Sequence, residues 1–175
     1  MSENKTRIRK VVIVDKKDNE LGSKSYVELG YEDIYRVSAL WLTNLNKSHL
    51  LITQRALAKH NDPGKWMPSA SGTIEEGETY DSNVITEAEE ELGLTGIEPV
   101  KQVKQFVDDG KHRFFVQPYT AQVDMETAKI EVEAEYVEGY KWIAIRELIK
   151  DVSENPNKYV PSMLAGIRAS GLAND

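Results

Sequence analysis

The sequence predicts a single α+β domain. Segments rich in strand-forming residues flank one strongly helical segment, and two shorter helical segments follow near the C-terminal end. The 175-residue length suits one domain with a buried core, and 40% apolar and 29% charged residues are typical of a globular protein. No apolar run approaches the roughly 20 residues of a spanning helix, and the N-terminal MSENKTRIRK lacks the apolar stretch of a signal peptide. We therefore expect a cytoplasmic protein that does not enter a membrane.

The first third of the chain is predicted to consist mainly of strands. Residues 8–14 are rich in β-branched side chains and end at a turn-like stretch, 15–22. Two further strands are predicted at 37–43 and 50–53, on either side of the turn residues 44–47.

The segment 80–92 has the strongest helical pattern. Asp81 or Ser82 is a suitable N-cap, and Gly93 stands where a left-handed C-cap residue is expected.

The second half of the chain alternates between predicted strands and helices. The segments 103–107 and 114–123 flank the turn sequence DDGKH, which indicates a hairpin. A strand is predicted at 136–143, followed by a short helix from about Arg146, and 156–169 is predicted as a final amphipathic helix.

Negative charge is concentrated in one segment. The net charge of the chain is −7, whereas 72–94 alone carries seven Glu and one Asp and no Lys or Arg. An acidic total argues against binding of nucleic acid through its phosphate backbone. Clustered carboxylates suit a hard cation such as Mg²⁺. The chain has no Cys, which excludes disulfides, thiolate zinc sites and Cys nucleophiles.

Three glutamates share one face of the predicted helix. At about 100° per residue, Glu87, Glu90 and Glu91 lie within about a third of the circle. An apolar stripe lies beside them, made of Val84, Ile85, Ala88 and Leu92. The glutamates should therefore sit at the rim of the core. A solvated acidic surface is the simpler interpretation of such a run.

The spacing of residues around this helix resembles the Nudix box, G-x5-E-x7-R-E-U-x-E-E-x-G-U, in which U is apolar. The positions that match are Gly72, Glu78, Glu87, Ala88, Glu90, Glu91, Gly93 and Leu94. Matches of this number would arise by chance on the order of 10⁻⁵ times per chain. Thr86 stands where the family has Arg.

The flanking sequence resembles Nudix members related to isopentenyl-diphosphate isomerase. The similar stretches are VVIVDKKDNELG, PGKWMPSASG and EGYKWIAIREL. The resemblance implies an α/β/α sandwich around a mixed sheet, in which the box forms a loop–helix–loop. We expect 1–175 to be one Nudix domain, with 1–36 as an N-terminal β extension and 72–94 as the box.

The resemblance also implies roles for the box residues. It makes Glu87, Glu90 and Glu91 the ligands of Mg²⁺, with Mn²⁺ as an alternative ion, and leaves open whether Glu87 is instead the base that activates water. The backbone carbonyl of Gly72 is a further implied ligand. Glu78 is either a partner of the helix dipole or a structural acceptor near the metal.

Residues outside the box complete the predicted site. Arg55 and Lys65 are candidates for substrate binding, although Arg55 is equally well explained as a surface residue that ends a strand. Glu135 and Glu138 are candidates for an additional acid that some family members supply from outside the box.

Thr86 is the one departure from the box. The family's Arg is thought to orient the neighbouring Glu through charge-assisted hydrogen bonds. A Thr hydroxyl offers neither a positive charge nor a bidentate fork. Either a cation from elsewhere, with Arg55 as the first candidate, offsets the charge of Glu87, or the protein is a slow enzyme or only binds its ligand.

The function implied is Mg²⁺-dependent hydrolysis of a diphosphate linkage in a nucleoside diphosphate derivative by metal-activated water. The expected partner is a small-molecule diphosphate, with neither nucleic acid nor membrane, and homodimerisation is a prior expectation from the family. An isomerase of isopentenyl diphosphate is disfavoured because, as the resemblance implies, its chemistry uses a Cys that this chain lacks. A non-catalytic nucleotide-binding module is the alternative, and Thr86 is the main argument for it.

Overall fold

The computed structural model describes residues 9–173, and within this range ten strands form one mixed sheet with three α-helices. The strands are β1 (Lys10–Val14), β2 (Glu20–Ser25), β3 (Ile34–Asn44), β4 (His49–Arg55), β5 (Trp66–Met67), β6 (Ala70–Thr73), β7 (Val100–Lys101), β8 (Gln105–Asp108), β9 (Arg113–Val123) and β10 (Val137–Ala144). The helices are α1 (Tyr80–Leu92), α2 (Ile145–Glu154) and α3 (Met163–Ala169). The first residue of the strand predicted at 8–14 lies outside the described range.

Strand β3 organises the sheet. It pairs in parallel with β9 along its whole length and antiparallel with β1, β4 and β6. Strand β4 pairs in turn with β10, and β1 with β2. A parallel pair in the middle of a sheet is covered on both faces, and β3 is accordingly buried from Ser38 to Asn44.

Helices cover the two faces of this sheet. Successive side chains of a strand point to opposite faces. In β3, Leu40 and Leu42 pack in a cluster with the apolar face of α1, whereas Trp41 packs in a second cluster with α2 and α3. The predicted sandwich with a mixed central sheet is therefore confirmed.

The central helix has the predicted bounds, but its N-cap prediction was wrong. Thr79 is the N-cap residue, and it forms reciprocal hydrogen bonds with Ser82. A hydroxyl acceptor at this position satisfies a free N–H of the first turn, so the helix begins one residue before Asp81. Gly93 adopts the predicted left-handed conformation, with φ of 65°. Ile85, expected on the apolar stripe, is exposed.

The final helix is shorter than predicted. Residues Pro156–Lys158 form a 3-10 turn, and α3 begins only at Met163. The backbone N–H of Val160 donates to the carbonyl of Trp66, at 3.0 Å. The residue before a proline also avoids helical backbone angles, and Pro161 follows Val160. Both effects interrupt the helix that the apolar pattern predicted over 156–169.

Candidate active site

Helix α1 places two of its three predicted glutamates in the protein interior. Glu87 and Glu91 are buried, at 9% and 5% exposure, whereas Glu90 is exposed. Val84, Ala88 and Leu92 anchor the neighbouring face of the helix in the core. The carboxylates of Glu87 and Glu91 therefore lie deeper than the rim that the helical periodicity predicted.

Gly72 leaves the space that the Glu87 side chain fills. It pairs with Ser38 across β6 and β3. A Cβ atom added at Gly72 would lie 1.8 Å from Oε1 of Glu87 and 2.1 Å from its Cδ. No side chain fits at this distance, so the glycine permits the close approach of the carboxylate to the strand. The box spacing thus has a steric reason in this chain.

Glu91 is held against the same strand by a backbone hydrogen bond. The N–H of Ser71 donates to Oε2 of Glu91, at 2.9 Å. Burial raises the pKa of Glu91 to about 7, although the hydrogen bond from Ser71 and the positive charges of Arg55 and Lys59 favour the ionised form. Burial therefore favours the protonated form of Glu91 more than in an exposed glutamate.

The pKa of Glu87 is raised further than that of Glu91. Burial raises the pKa of Glu87 to about 8, and the charges of Glu91 and Glu90 add to this increase. The positive charge of Arg9 acts in the opposite direction. Two neighbouring buried carboxylates with raised pKa values would both be stabilised in their ionised form by an added cation.

The carboxylate of Glu78 accepts two hydrogen bonds, which agrees with one of the two roles that the sequence left open, that of a structural acceptor; its place near a metal ion stays a prediction. Its Oε2 accepts from the backbone N–H of Glu75, at 2.8 Å, and from the side-chain amide of Asn83, at 3.0 Å. The same amide also contacts Oε1 of Glu87, at 3.4 Å. Glu78 is thus linked to the predicted metal-binding face through one side chain.

Thr86 directs its hydroxyl into its own helix. Its Oγ1 donates to the carbonyl oxygen of Ser82, at 3.1 Å, a common arrangement for Thr in a helix interior. The hydroxyl is therefore not engaged with Glu87. Of the cations in the described range, Arg9 acts on Glu87, whereas Arg55 acts on Glu91.

Arg55 and Lys59 form the cationic side of the site. Arg55 ends β4, and its Nε is buried with no hydrogen-bond partner among the described residues. Lys59 lies in the following loop, where its ammonium stands 4.4 Å above the ring of Tyr136. Lys65, the other predicted substrate-binding residue, pairs with Asp62 at 2.8 Å in the same loop. Its role in substrate binding stays a prediction.

The two acids predicted outside the box lie in different surroundings. Glu138 accepts from the backbone N–H of Leu57, at 2.9 Å, and so helps to hold the loop that carries Lys59. Glu135 faces a cleft of about 380 Å³ beside Glu90. The cleft is lined by Glu89, Glu90, Gly93, Glu131, Glu133, Glu135 and Tyr136.

The carboxylates of Glu87 and Glu91 are suitable ligands for a divalent cation, although the side chains around them do not converge on one point. Over residues 9–173, no three acidic or histidine side chains converge closely enough to hold a metal ion. The carboxylates of Glu87 and Glu91 are hard oxygen donors, they are buried with raised pKa values, and Gly72 lets the Glu87 carboxylate lie directly against β6. The chemistry of these residues therefore fits Mg²⁺.

Sequence reasoning missed three residues near the glutamates. Lys59 lies in the loop that follows β4, and this loop has no periodic pattern of residues that would mark a functional position. Arg9 reaches the site because the segment next to it pairs across the sheet, with Val11 bridging Glu75. Asn83 occupies an unspecified position of the box motif. Such contacts depend on tertiary structure and leave no local pattern in the sequence.

Comparison with known proteins gives one consistent result. Residues 34–163 match the model of the NUDIX domain. The uncharacterised Nudix hydrolase PA4841 of Pseudomonas aeruginosa is 26% identical over 155 residues, which cover 89% of each chain. An isopentenyl-diphosphate Delta-isomerase of Citrobacter koseri is 27% identical over 162 residues, covering 88% of this chain and 87% of the isomerase.

Solved structures agree in fold. DR0079 from Deinococcus radiodurans matches with a TM-score of 0.77 at 20% identity, covering 91% of this chain and 97% of its own. An Ap4A hydrolase from C. elegans matches with a TM-score of 0.60 at 17% identity, covering 78% and 94%. No helix within 9–173 has the length and apolar character needed to cross a membrane.

Proposed function

The chain belongs to the NUDIX domain family, and we propose that it is a Mg²⁺-dependent hydrolase that cleaves a diphosphate linkage in a nucleoside diphosphate derivative. The observation that carries this proposal is the pair of buried carboxylates, Glu87 and Glu91, packed against the strand that contains Gly72. Keeping two buried carboxylates in their ionised form costs free energy, and a bound cation would offset this cost. The name of the Pseudomonas relative supports a hydrolytic reaction.

Glu87, Glu90 and Glu91, together with the carbonyl of Gly72, would hold the metal ion. When bound, Mg²⁺ neutralises diphosphate oxygens and lowers the pKa of a coordinated water. Ser71 fixes one carboxylate oxygen of Glu91 through its N–H, which leaves the other oxygen for the cation. Glu87 serves either as a ligand or as the acceptor of the proton that the attacking water loses.

Arg55 and Lys59 would bind the diphosphate. The unpartnered Nε of Arg55 is a buried donor, and such donors are rarely left without an acceptor in a complete site. The positive charges of Arg55 and Lys59 lie close enough to Glu91 to oppose the rise in its pKa that burial causes. An anionic substrate placed between Arg55 and Lys59 on one side and a cation held by the glutamates on the other would meet positive charge on both sides.

The test is a turnover screen of the whole protein with Mg²⁺ and with Mn²⁺. The panel contains nucleoside di- and triphosphates, sugar nucleotides, dinucleotides and nucleotide cofactors, and the readouts are released phosphate and nucleotide. We expect metal-dependent cleavage of at least one of these compounds, and its loss in Glu91→Gln. Nucleotide binding without turnover of any compound would contradict hydrolysis and favour a binding module.

Isopentenyl diphosphate belongs in the same panel as a separate arm. The isomerase of Citrobacter koseri is 27% identical to this chain. This chain contains no Cys, and we expect no double-bond isomerisation. Conversion of isopentenyl diphosphate at a rate that exceeds hydrolysis of every nucleotide would contradict the proposed function.

A further inference from the structure

A single buried amide connects two carboxylates of the site. Asn83 is 1% exposed, and its Nδ2 donates to Oε2 of Glu78 at 3.0 Å and approaches Oε1 of Glu87 at 3.4 Å. We infer that Asn83 is the positioning residue that replaces the missing arginine at position 86, because its amide holds Glu78 and Glu87 in place. The inference rests on the proposed function for its catalytic consequence.

Ser38 fixes which end of the amide faces the carboxylates. Its hydroxyl donates to Oδ1 of Asn83 at 2.7 Å, and Ser38 is fully buried in β3. With the carbonyl end of the amide occupied, both N–H groups of Nδ2 face the glutamates. The reverse orientation would place the amide oxygen against two carboxylates and is therefore unfavourable.

The alternatives to Asn83 are engaged elsewhere. The hydroxyl of Thr86 donates to the carbonyl of Ser82. Arg9 forms its ion pair with Glu75, at 2.5 Å, and influences Glu87 only through space. Asn83 is thus the described side chain that donates hydrogen bonds to Glu78 and Glu87 together.

The amide reproduces one property of an arginine and lacks the other. Its two N–H groups bridge two carboxylates with fixed geometry, as a guanidinium fork does. It carries no positive charge, so it orients Glu87 without offsetting the negative charge. The buried position of Asn83 on the first turns of α1 suits a short amide, whereas position 86 is one turn further along the helix.

The experiment combines Asn83→Ala with Thr86→Arg. We expect Asn83→Ala to lower kcat at least tenfold with a change in KM of less than threefold, and to weaken Mn²⁺ binding at least fivefold. Thr86→Arg in the Asn83→Ala background should restore at least half of both losses, since it returns a donor for Glu87. The same substitution in the wild-type background should change kcat less than threefold.

Two controls keep the result interpretable. Asn157→Ala, at an exposed position of the 3-10 turn, should leave kcat and Mn²⁺ affinity unchanged. If Asn83→Ala does not fold, Ser38→Ala tests the inference instead, because it releases the amide and should lower Mn²⁺ affinity by a smaller factor. Folding is monitored by circular dichroism of each metal-free variant.

Mn²⁺ affinity, measured by electron paramagnetic resonance, separates this inference from the proposed function. A wild-type protein that binds Mn²⁺ but turns over no compound would overturn the hydrolase proposal, and the binding measurements would still decide the role of Asn83. Unchanged Mn²⁺ affinity and kcat in folded Asn83→Ala would overturn the inference. If Asn83→Ala loses both kcat and Mn²⁺ affinity and Thr86→Arg restores neither, the claim that Asn83 takes the role of the missing arginine would be overturned.

Discussion

Two carboxylate clusters of this protein differ in how their charge is balanced. Asp18, in the turn between β1 and β2, accepts from Arg36 at 2.7 Å, from Lys104 and from the hydroxyl of Tyr80 at 3.2 Å. Burial alone would raise the pKa of Asp18, but the hydrogen bonds from Lys104 and Arg36 outweigh it and lower the pKa. This cluster ties four separate segments of the chain together.

The Glu87 and Glu91 pair has the opposite character. Burial raises the pKa values of Glu87 and Glu91 to about 8 and about 7, and the nearby positive charges do not offset it. The same fold therefore pairs one part-buried carboxylate with its own cations, whereas the positive charges near Glu87 and Glu91 offset the cost of burying these two carboxylates only in part. The difference supports a structural role for Asp18 and agrees with the proposal that Glu87 and Glu91 bind a cation.

The largest expected effect comes from removing a proposed ligand. Glu90→Gln or Glu91→Gln should reduce Mg²⁺-dependent turnover at least about a hundredfold, or about 2.7 kcal/mol in the barrier. The Gln carbonyl at position 91 can still accept from Ser71, so the fold should persist. Stability without metal should be unchanged or slightly higher, because one of several repelling charges is lost. Kinetics and urea unfolding measure the two effects, and full activity in both variants would exclude the metal-binding assignment.

Removing the carboxylate of Asp18 should lower the stability of the fold, whereas removing a proposed metal ligand should lower activity. Asp18→Ala removes the carboxylate that Arg36 and Lys104 share, and should lower the free energy of unfolding by about 2–4 kcal/mol. The matched comparison is Glu87→Gln, which should cost no stability in the absence of metal. Urea unfolding of both variants at pH 7 in chelator is the measurement. A larger loss in Glu87→Gln than in Asp18→Ala would reverse the distinction between the clusters.

The pH dependence of stability should reveal the raised pKa values. Between the unfolded pKa of Glu, 4.5, and the folded values of about 7 and 8, the folded state binds more protons than the unfolded state. Stability without metal should therefore fall as pH rises through this window, by about 1 kcal/mol or more between pH 5.5 and 7.5. Urea unfolding in chelator checks this sign, and saturating Mg²⁺ or the double change of Glu87 and Glu91 to Gln should flatten the slope. Rising stability over this range would contradict the assignment.

The smallest expected effect concerns position 86. Thr86→Arg should raise turnover or leave it unchanged, and the gain should stay below about threefold, or about 0.65 kcal/mol, because Asn83 already holds Glu87. The measurement is kcat/KM with Mg²⁺ for the substrate that the screen identifies. A tenfold or larger loss would indicate that another group occupies the space beside Glu87.

The local part of the site was predictable from the sequence, and the tertiary part was not. The bounds of α1 and the C-cap at Gly93 follow from a periodic pattern and one residue type, which act over a few residues. The depth of Glu87 depends on Gly72, which a separate strand brings beside it. The helical wheel placed Ile85 inside because it describes one helix without its neighbours, and α1 leaves that edge uncovered.

The cations of the site illustrate the same limit. The sequence predicts Arg55 as a site residue because it follows an apolar strand, and its side chain lies near Glu91. Arg9 lies near Glu87 because a β-bridge between Val11 and Glu75 holds its segment there, and Asn83 contacts Glu87 through a buried side-chain amide. Neither contact follows from composition or spacing. Thr86 showed in the sequence that an arginine was missing, but the residue that takes its place depends on which strand packs against α1.

Proton release on metal binding tests the central claim most directly. Burial raises the pKa values of Glu87 and Glu91 to about 8 and about 7, so the metal-free pair holds more protons near neutral pH than two exposed glutamates would. Calorimetric titration with Mg²⁺ in buffers of different ionisation enthalpy should therefore show proton release at pH 7, falling toward zero by pH 9. Glu87→Gln should remove most of this release. Binding of Mg²⁺ without proton release at pH 7, or absence of Mg²⁺ binding, would contradict the claim that these two carboxylates form the cation site.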